Sequence, residues 1–174
     1  MPLSARPAKA TVLLSALIAI AAPANAEVLG CYGRSYSAEH LAANPGQQVQ
    51  QIRAKRYTEP GDAAEFYDIR VHFRDDPREF TAATYCQSEG GRQVCIVECD
   101  GGRVYPVRGK DGKLSLSTEY LRAETDEALP GQTVGEGDCD GPVTRSIADQ
   151  DAKGEGVQTV FVLQPRKSEE CGWN

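Results

Sequence analysis

The chain has 174 residues, a formal net charge of −6 and a 40% hydrophobic content. That acidic balance argues against nucleic acid or an anionic membrane surface as partner. Its six cysteines point away from a reducing compartment.

Met1 to Ala26 reads as a cleaved secretion signal. Arg6 and Lys9 supply the positive region, Thr11 to Ala22 is apolar but too short to span a bilayer, and Ala24-Asn25-Ala26 is a small-x-small cleavage site. Its removal leaves Glu27–Asn174, one domain's length of chain, with no integral membrane segment and a periplasmic or secreted destination. Val28-Leu29-Gly30-Cys31 also resembles a lipoprotein cleavage box, which would lipidate Cys31 and leave an odd number of thiols.

Glu27 to Ser35 is expected to form the first strand. Ser37 to Ala43 suits one short helix, with Ser37 as N-cap and Asn44-Pro45-Gly46 as its stop. Gln48 to Thr58 is a strand of poor alternation, closed by the turn Glu59-Pro60-Gly61-Asp62. Phe66 to Arg74 alternates cleanly, with Tyr67, Ile69, Val71 and Phe73 on one face and Asp68, Arg70, His72 and Arg74 on the other.

Phe80 to Tyr120 reads as a β-meander with three turns. Gly90-Gly91 suits a two-residue hairpin, because glycine reaches positive φ without steric cost. That register pairs Glu89 with Arg92 and sets Cys86 opposite Cys95 at a non-hydrogen-bonded position, where Cα atoms lie about 4.5 Å apart and a disulfide can form. Asp100-Gly101 predicts pairs of Glu98 with Arg103, Val97 with Val104 and Ile96 with Tyr105. Pro106 cannot donate to a ladder, so its strand is an edge there or ends soon after. Asp111-Gly112 places Val107 opposite Leu116. Glu124 to Gly156 is a long acidic loop, partly helical near Ile147, and Val157 to Gln164 is the last strand.

These elements predict an all-β fold: an antiparallel meander forming a small lipocalin-like barrel or a two-sheet sandwich, with one short N-terminal helix and disulfides. The usual Gly-x-Trp lipocalin start is absent, and Trp173 is the only tryptophan. An even cysteine count in an exported chain implies three bridges, and 15 connectivities are open. The favoured set is Cys86–Cys95, then Cys31–Cys171 tying the termini, then Cys99–Cys139 holding the long loop. No C-x-x-C pair is present, and Cys95 and Cys99 on one strand would stand about 13 Å apart, too far to share a zinc.

The chemistry-bearing residues are few. No Gly-x-Ser-x-Gly elbow accompanies His40 or His72, so no catalytic residue is assigned. His72 between Arg70 and Arg74 suits anion contact, and Arg34, His40, Arg70, His72 and Arg74 are the ligand-contact candidates. Asp149-Gln150-Asp151 opens like an EF-hand but fails at Lys153 and Val160. A looser calcium site from Glu136, Asp138, Asp140, Asp149 and Asp151 is the only metal alternative. No cofactor motif is present.

Cys31-Tyr32-Gly33-Arg34-Ser35-Tyr36-Ser37-Ala38-Glu39-His40-Leu41, followed by Pro45 and Gln48-Val49, resembles the start of a group of small exported bacterial proteins of unknown function. Cys95-Ile96-Val97-Glu98-Cys99-Asp100-Gly101-Gly102 is similar to their middle. The resemblance implies export in a bacterium and carries no activity. Three functions follow from different classes. They are a binding or interaction module for an unknown protein or small molecule, an inhibitor of an exported hydrolase of lysozyme or protease type, and a hydrolytic or redox enzyme, which the missing constellation disfavours. Oligomeric state is open.

Overall fold

Alternation between apolar and polar side chains drives the architecture. In the computed structural model, which describes residues 26–128, 130–131 and 143–173, these alternating segments form one antiparallel sheet. The strands are β1 (Glu27–Ser35), β2 (Val49–Thr58), β3 (Glu65–Phe73), β4 (Glu79–Glu89), β5 (Arg92–Ile96), β6 (Gly102–Arg108), β7 (Leu114–Thr125), β8 (Val143–Ser146) and β9 (Thr159–Pro165). A six-residue helix α1 (Ala38–Ala43) and a 3-10 turn over Ser168–Cys171 complete the described elements.

The strand order β6-β5-β4-β3-β2-β1-β9-β7 returns to β6 through a further β6–β7 ladder. Eight antiparallel strands therefore close into a barrel, and the choice between barrel and sandwich falls to the barrel. β8 lies outside the ring, paired to the far half of β7. The helix is short because Asn44 stops it, and the Ser37 hydroxyl caps it by accepting from the His40 amide at 3.2 Å.

Inward positions make a continuous apolar core. Val49, Ile52, Ile69, Val71, Leu114, Leu116, Leu121 and Leu163 are all 0% exposed. A ligand-sized void would leave accessible area on its lining, so the stretch of interior these side chains line is filled. Eight strands make a barrel just wide enough for that. At one end α1 buries Leu41, and the segment after β8 buries Ile147 and Ala148.

The β4–β5 hairpin has the expected register. Gly90 and Gly91 take φ of 57° and 77°, Glu89 pairs with Arg92, and Cys86 faces Cys95 with Cα atoms 4.0 Å apart and the disulfide formed. The second bridge, Cys31–Cys171, ties β1 to the C-terminal turn across 140 residues. Cys99 is also disulfide-bonded, and its expected partner Cys139 lies outside the described residues. The expected signal segment lies outside them too, apart from Ala26.

Three expectations are corrected. Ile96 pairs with Arg103 and Cys95 with Val104, because Cys99 (φ 56°), Asp100 (φ 57°) and Gly102 (φ 86°) build a wider loop than a two-residue turn. The β6–β7 ladder slips by one residue: Pro106 faces Leu116 and Val107 faces Ser115. A one-residue slip exchanges the faces of a strand, so Val107 stands outside at 62% exposure. Its cause is the loop after β6, where the Gly109 amide reaches the Lys113 carbonyl at 2.8 Å and lengthens the connection. Finally, the chain around Ile147 is not helical; β8 pairs with β7 just before it, and the Ile147 amide bonds the Leu121 carbonyl at 3.0 Å.

Gly102 is the tightest backbone position. A Cβ there would lie 2.2 Å from the Tyr120 carbonyl oxygen, on a residue already at positive φ, whereas Gly61, at φ 81°, has open space around it. Gly102→Ala should destabilise the fold by about 3 kcal/mol, and Gly61→Ala by about 1 kcal/mol. Urea titration of both variants checks this; equal midpoints would show that the loop relaxes around the methyl group.

Candidate functional site

The two sides of the barrel differ in chemistry. On the outside of β2 and β3, Arg53 stands directly opposite Arg70 and Lys55 opposite Asp68. Glu79 on β4 draws the cations together, accepting from Arg53 at 2.6 Å and Arg70 at 2.9 Å with His72 at 3.5 Å. Lys55 sits 3.6 Å from Asp68, whose carboxylate also accepts from the Tyr57 hydroxyl at 3.2 Å. Burial, and then that carboxylate, push the Tyr57 phenol up to about 12. The indole of Trp173 lies over this cluster, 4.5 Å from Arg70 and 5.1 Å from Arg53, and the Trp173 carbonyl accepts from Lys55 at 3.2 Å. The C-terminal segment is thus a clamp on a wall whose cations are ion-paired with Glu79 and Asp68.

The ligand-contact candidates separate into three places. Arg70 and His72 converge on Glu79 as described. Arg34 and His40 converge on Tyr36: the guanidinium lies 4.6 Å from the ring centroid and the imidazole stacks at 4.9 Å. Arg34 also donates to the Val162 carbonyl at 3.4 Å, and His40 Nε2 pairs with Gln47 Oε1 at 2.9 Å. Nearby, burial holds the Asp149 carboxyl above its usual range, with Oδ1 unpartnered. Arg74 stands apart and donates to the Leu41 carbonyl at 3.2 Å, holding α1 to the barrel. Each of these donors is turned toward the protein's own groups.

Two of the barrel's ladders are only two pairs long. Between β1 and β9 only Tyr32–Pro165 and Gly33–Gln164 pair. That seam is sealed by Cys31–Cys171 beside it, by the Arg166 amide on the Cys31 carbonyl at 2.8 Å, and by the Arg34 bond to Val162. Between β5 and β6 only Cys95–Val104 and Ile96–Arg103 pair. Pro106 brings no N–H with which to extend that ladder, as its place in the sequence implied. Here no cross-link closes the gap.

At this second seam lies a surface groove of about 890 Å³, running from Arg92 and Gln93 over Tyr105 and Val107 to Glu119 and Gln158. Residues of β5, β6 and β7 line it, with Gln158 just before β9. Ser115 sits between Val107 and Val162, and Ser117 between Tyr105 and Val160. Val160 is 54% exposed and Tyr120 48%. The small serines keep this wall low between larger apolar side chains. Arg92 lies over the Tyr105 ring, 5.0 Å from its centroid.

Below the groove the barrel mouth is polar. Arg56 takes both oxygens of Glu65, Nε to Oε2 at 2.9 Å and Nη2 to Oε1, while Gln93 donates to Oε2 at 2.8 Å. The Arg56 hydrogen bond, chiefly, holds the Glu65 carboxyl down at about 2. Tyr67, opposite Arg56 in register, is fully buried with its hydroxyl unpartnered, and burial raises its pKa strongly.

Among the described residues no group of three or more His, Cys, Asp or Glu converges as a metal site. Asp151 instead accepts from the amides of Lys153 and Glu155 at 2.8 and 3.0 Å, and Glu136, Asp138 and Asp140 lie outside the described residues. No described helix is long and apolar enough to cross a membrane. No protein-family model, curated protein or solved structure matches the chain. Sequence reasoning passed over Glu79, Trp173, Arg92, Tyr105 and Arg108. Pro106 was the one signal in the chain for the open seam.

The Glu65 carboxyl is depressed from 4.5 to about 2, so its stabilisation is present above pH 4.5 and is lost as pH falls toward 2. Solvent reaches the mouth, so the loss should be roughly 1–2 kcal/mol rather than the full value of the shift. Arg56→Gln should flatten thermal stability over that window; an unchanged pH profile would remove the pair from the balance. Removing the long bridge with Cys31→Ala/Cys171→Ala should cost roughly 2–5 kcal/mol. It should also shift the emission of Trp173 to the red as the indole leaves its cations, and an unshifted spectrum would show that the clamp holds without the disulfide.

Proposed function

We propose that the protein is an exported binding module that recognises its partner on the outside of the barrel. The observation that carries this reading is the pairing of a filled interior with a single open seam. The core side chains between β2, β3, β7 and β9 leave no accessible area. The seam between β5 and β6 opens instead onto a groove flanked by exposed apolar residues. Disulfides suit an oxidising compartment, and the N-terminal signal pattern suits a periplasmic or secreted destination. The barrel is the scaffold and the groove the recognition surface.

Inhibition of an exported hydrolase is the second reading. What favours it is the hairpin tip Ser88–Gly91, exposed and stapled just behind by Cys86–Cys95. A tip held so rigidly loses little conformational freedom when it enters a cleft.

The test is affinity capture from an export-compartment extract, run beside native mass spectrometry of the purified protein. A partner should be retained by wild type and by Arg34→Ala, and lost with Val107→Glu/Val160→Glu. If native spectra instead carry a stoichiometric small molecule, or a hydrolase screen shows turnover by the protein while nothing is captured, the exterior reading fails. A captured enzyme whose activity falls in proportion to added protein would select the inhibitor.

A further inference from the structure

We infer that the groove at the β5–β6 seam receives an extended acidic polypeptide segment, its carboxylates held by Arg92 and Arg108 over a floor of Tyr105 and Val107. The inference rests on the exterior-binding reading and narrows it to a partner chemistry.

Charge is the first argument. The chain carries −6 overall, yet the groove lining holds two arginines against one glutamate. Most other arginines of the described barrel are engaged. Arg53 and Arg70 bond Glu79, Arg56 bonds Glu65, Arg145 bonds Asp75 and Arg122 bonds the carbonyls of Glu98 and Cys99. Arg92 and Arg108 form no ion pair among the described residues. Arg108 acts through space on the Glu65 carboxylate, whose oxygens already serve Arg56 and Gln93. Two exposed guanidinium groups therefore flank one end of the groove with no ion-pair partner among the described residues, in a chain of net negative charge.

The floor is the second argument. Arg92 is held over the Tyr105 ring, which leaves its fork free for a planar carboxylate. Val107 beside it is apolar and 62% exposed, so the surface asks for alternating character in its occupant: charge toward the rim, aliphatic side chain toward the floor. An extended peptide presents that alternation with a period of two residues. A nucleic acid or a polyanionic glycan carries denser charge and no aliphatic side chains, and would need more cations than two. Glu119 at the other end of the groove gives it a polarity, so the acidic part of the segment belongs near the β4–β5 hairpin.

The geometry of the seam is the third. The β4–β5 hairpin is stapled by Cys86–Cys95, and the loop after β5 is pinned by Arg122 to the Glu98 and Cys99 carbonyls at 3.1 and 3.3 Å. The gap between β5 and β6 is bracketed by fixed backbone at both ends, so an incoming segment meets a preformed surface.

The test uses the purified full mature chain and fluorescein-labelled peptides that alternate glutamate with valine, or lysine with valine, read by anisotropy. The acidic peptide should bind and the basic one should not. Binding should weaken at least tenfold in Arg92→Glu/Arg108→Glu, and weaken with added salt. It should be unchanged in Lys153→Glu/Lys167→Glu, which alters net charge equally at exposed sites elsewhere. Arg92→Gln/Arg108→Gln serves if charge reversal beside Glu65 impairs folding, and thermal melts of both variants establish that. Equal affinity of the acidic peptide for wild type and the arginine variants, absence of acidic-peptide binding, or binding only to a polyanionic glycan such as polygalacturonate would each overturn the inference. Capture of a partner sensitive to Val107→Glu/Val160→Glu alongside such a result would leave the exterior-binding reading standing.

Discussion

Closing a sheet on itself demands that every strand find two neighbours, and this barrel meets that demand with two ladders of only two pairs each. The rest of the structure is arranged around those weak seams. At β1–β9 the sequence supplies a disulfide, an arginine on a strand carbonyl and a backbone bond from Arg166, and the wall is shut. At β5–β6 a proline ends the ladder after two pairs, and the Val97 amide on the Gly102 carbonyl and the Arg92 side chain over Tyr105 reach across. Backbone edges left unpaired attract strands or side chains from elsewhere. One seam is thus secured by three further contacts, and the other carries no disulfide.

The charged wall follows a related logic. Register places Arg53 against Arg70, a like-charge pair that a sheet disfavours. Glu79 bridges them from the next strand, and the Trp173 indole presents a ring face to both guanidinium groups. Trp173 arrives from the far end of the chain, two residues after the bridge at Cys171, and Lys55 bonds its carbonyl. The tail is therefore part of the barrel's electrostatics, and this wall's cations are covered by Glu79, Asp68 and the Trp173 ring. The groove wall is not, since its exposed valines and tyrosine have no covering element among the described residues. The two walls differ in how much of their chemistry is left for another molecule.

The elements whose structure rests on local rules were legible in the chain. The β3 alternation put Tyr67, Ile69, Val71 and Phe73 inside as expected, Ser37 capped α1, and adjacent glycines set the hairpin that aligns Cys86 with Cys95. Where a turn was longer than its dipeptide signal, the register drifted. Asp100-Gly101 and Asp111-Gly112 both look like two-residue turns, yet each sits in a wider loop. At the second, the slip moved Val107 from the core to the surface. Turn length depends on what the loop bonds to after folding, and the Lys113 carbonyl and the β7 backbone were not visible to a local reading.

By itself, then, the sequence determined the class of fold, the bridging of Cys86 to Cys95 and the inner face of its best strands, because hydrophobic period, glycine φ and Cβ spacing act over a few residues. Barrel closure, the convergence of Arg53, Arg70 and Trp173, and the open groove beside Pro106 were decided only by tertiary structure. Each joins residues far apart in the chain, and their contacts depend on turn and loop lengths that a local pattern does not fix.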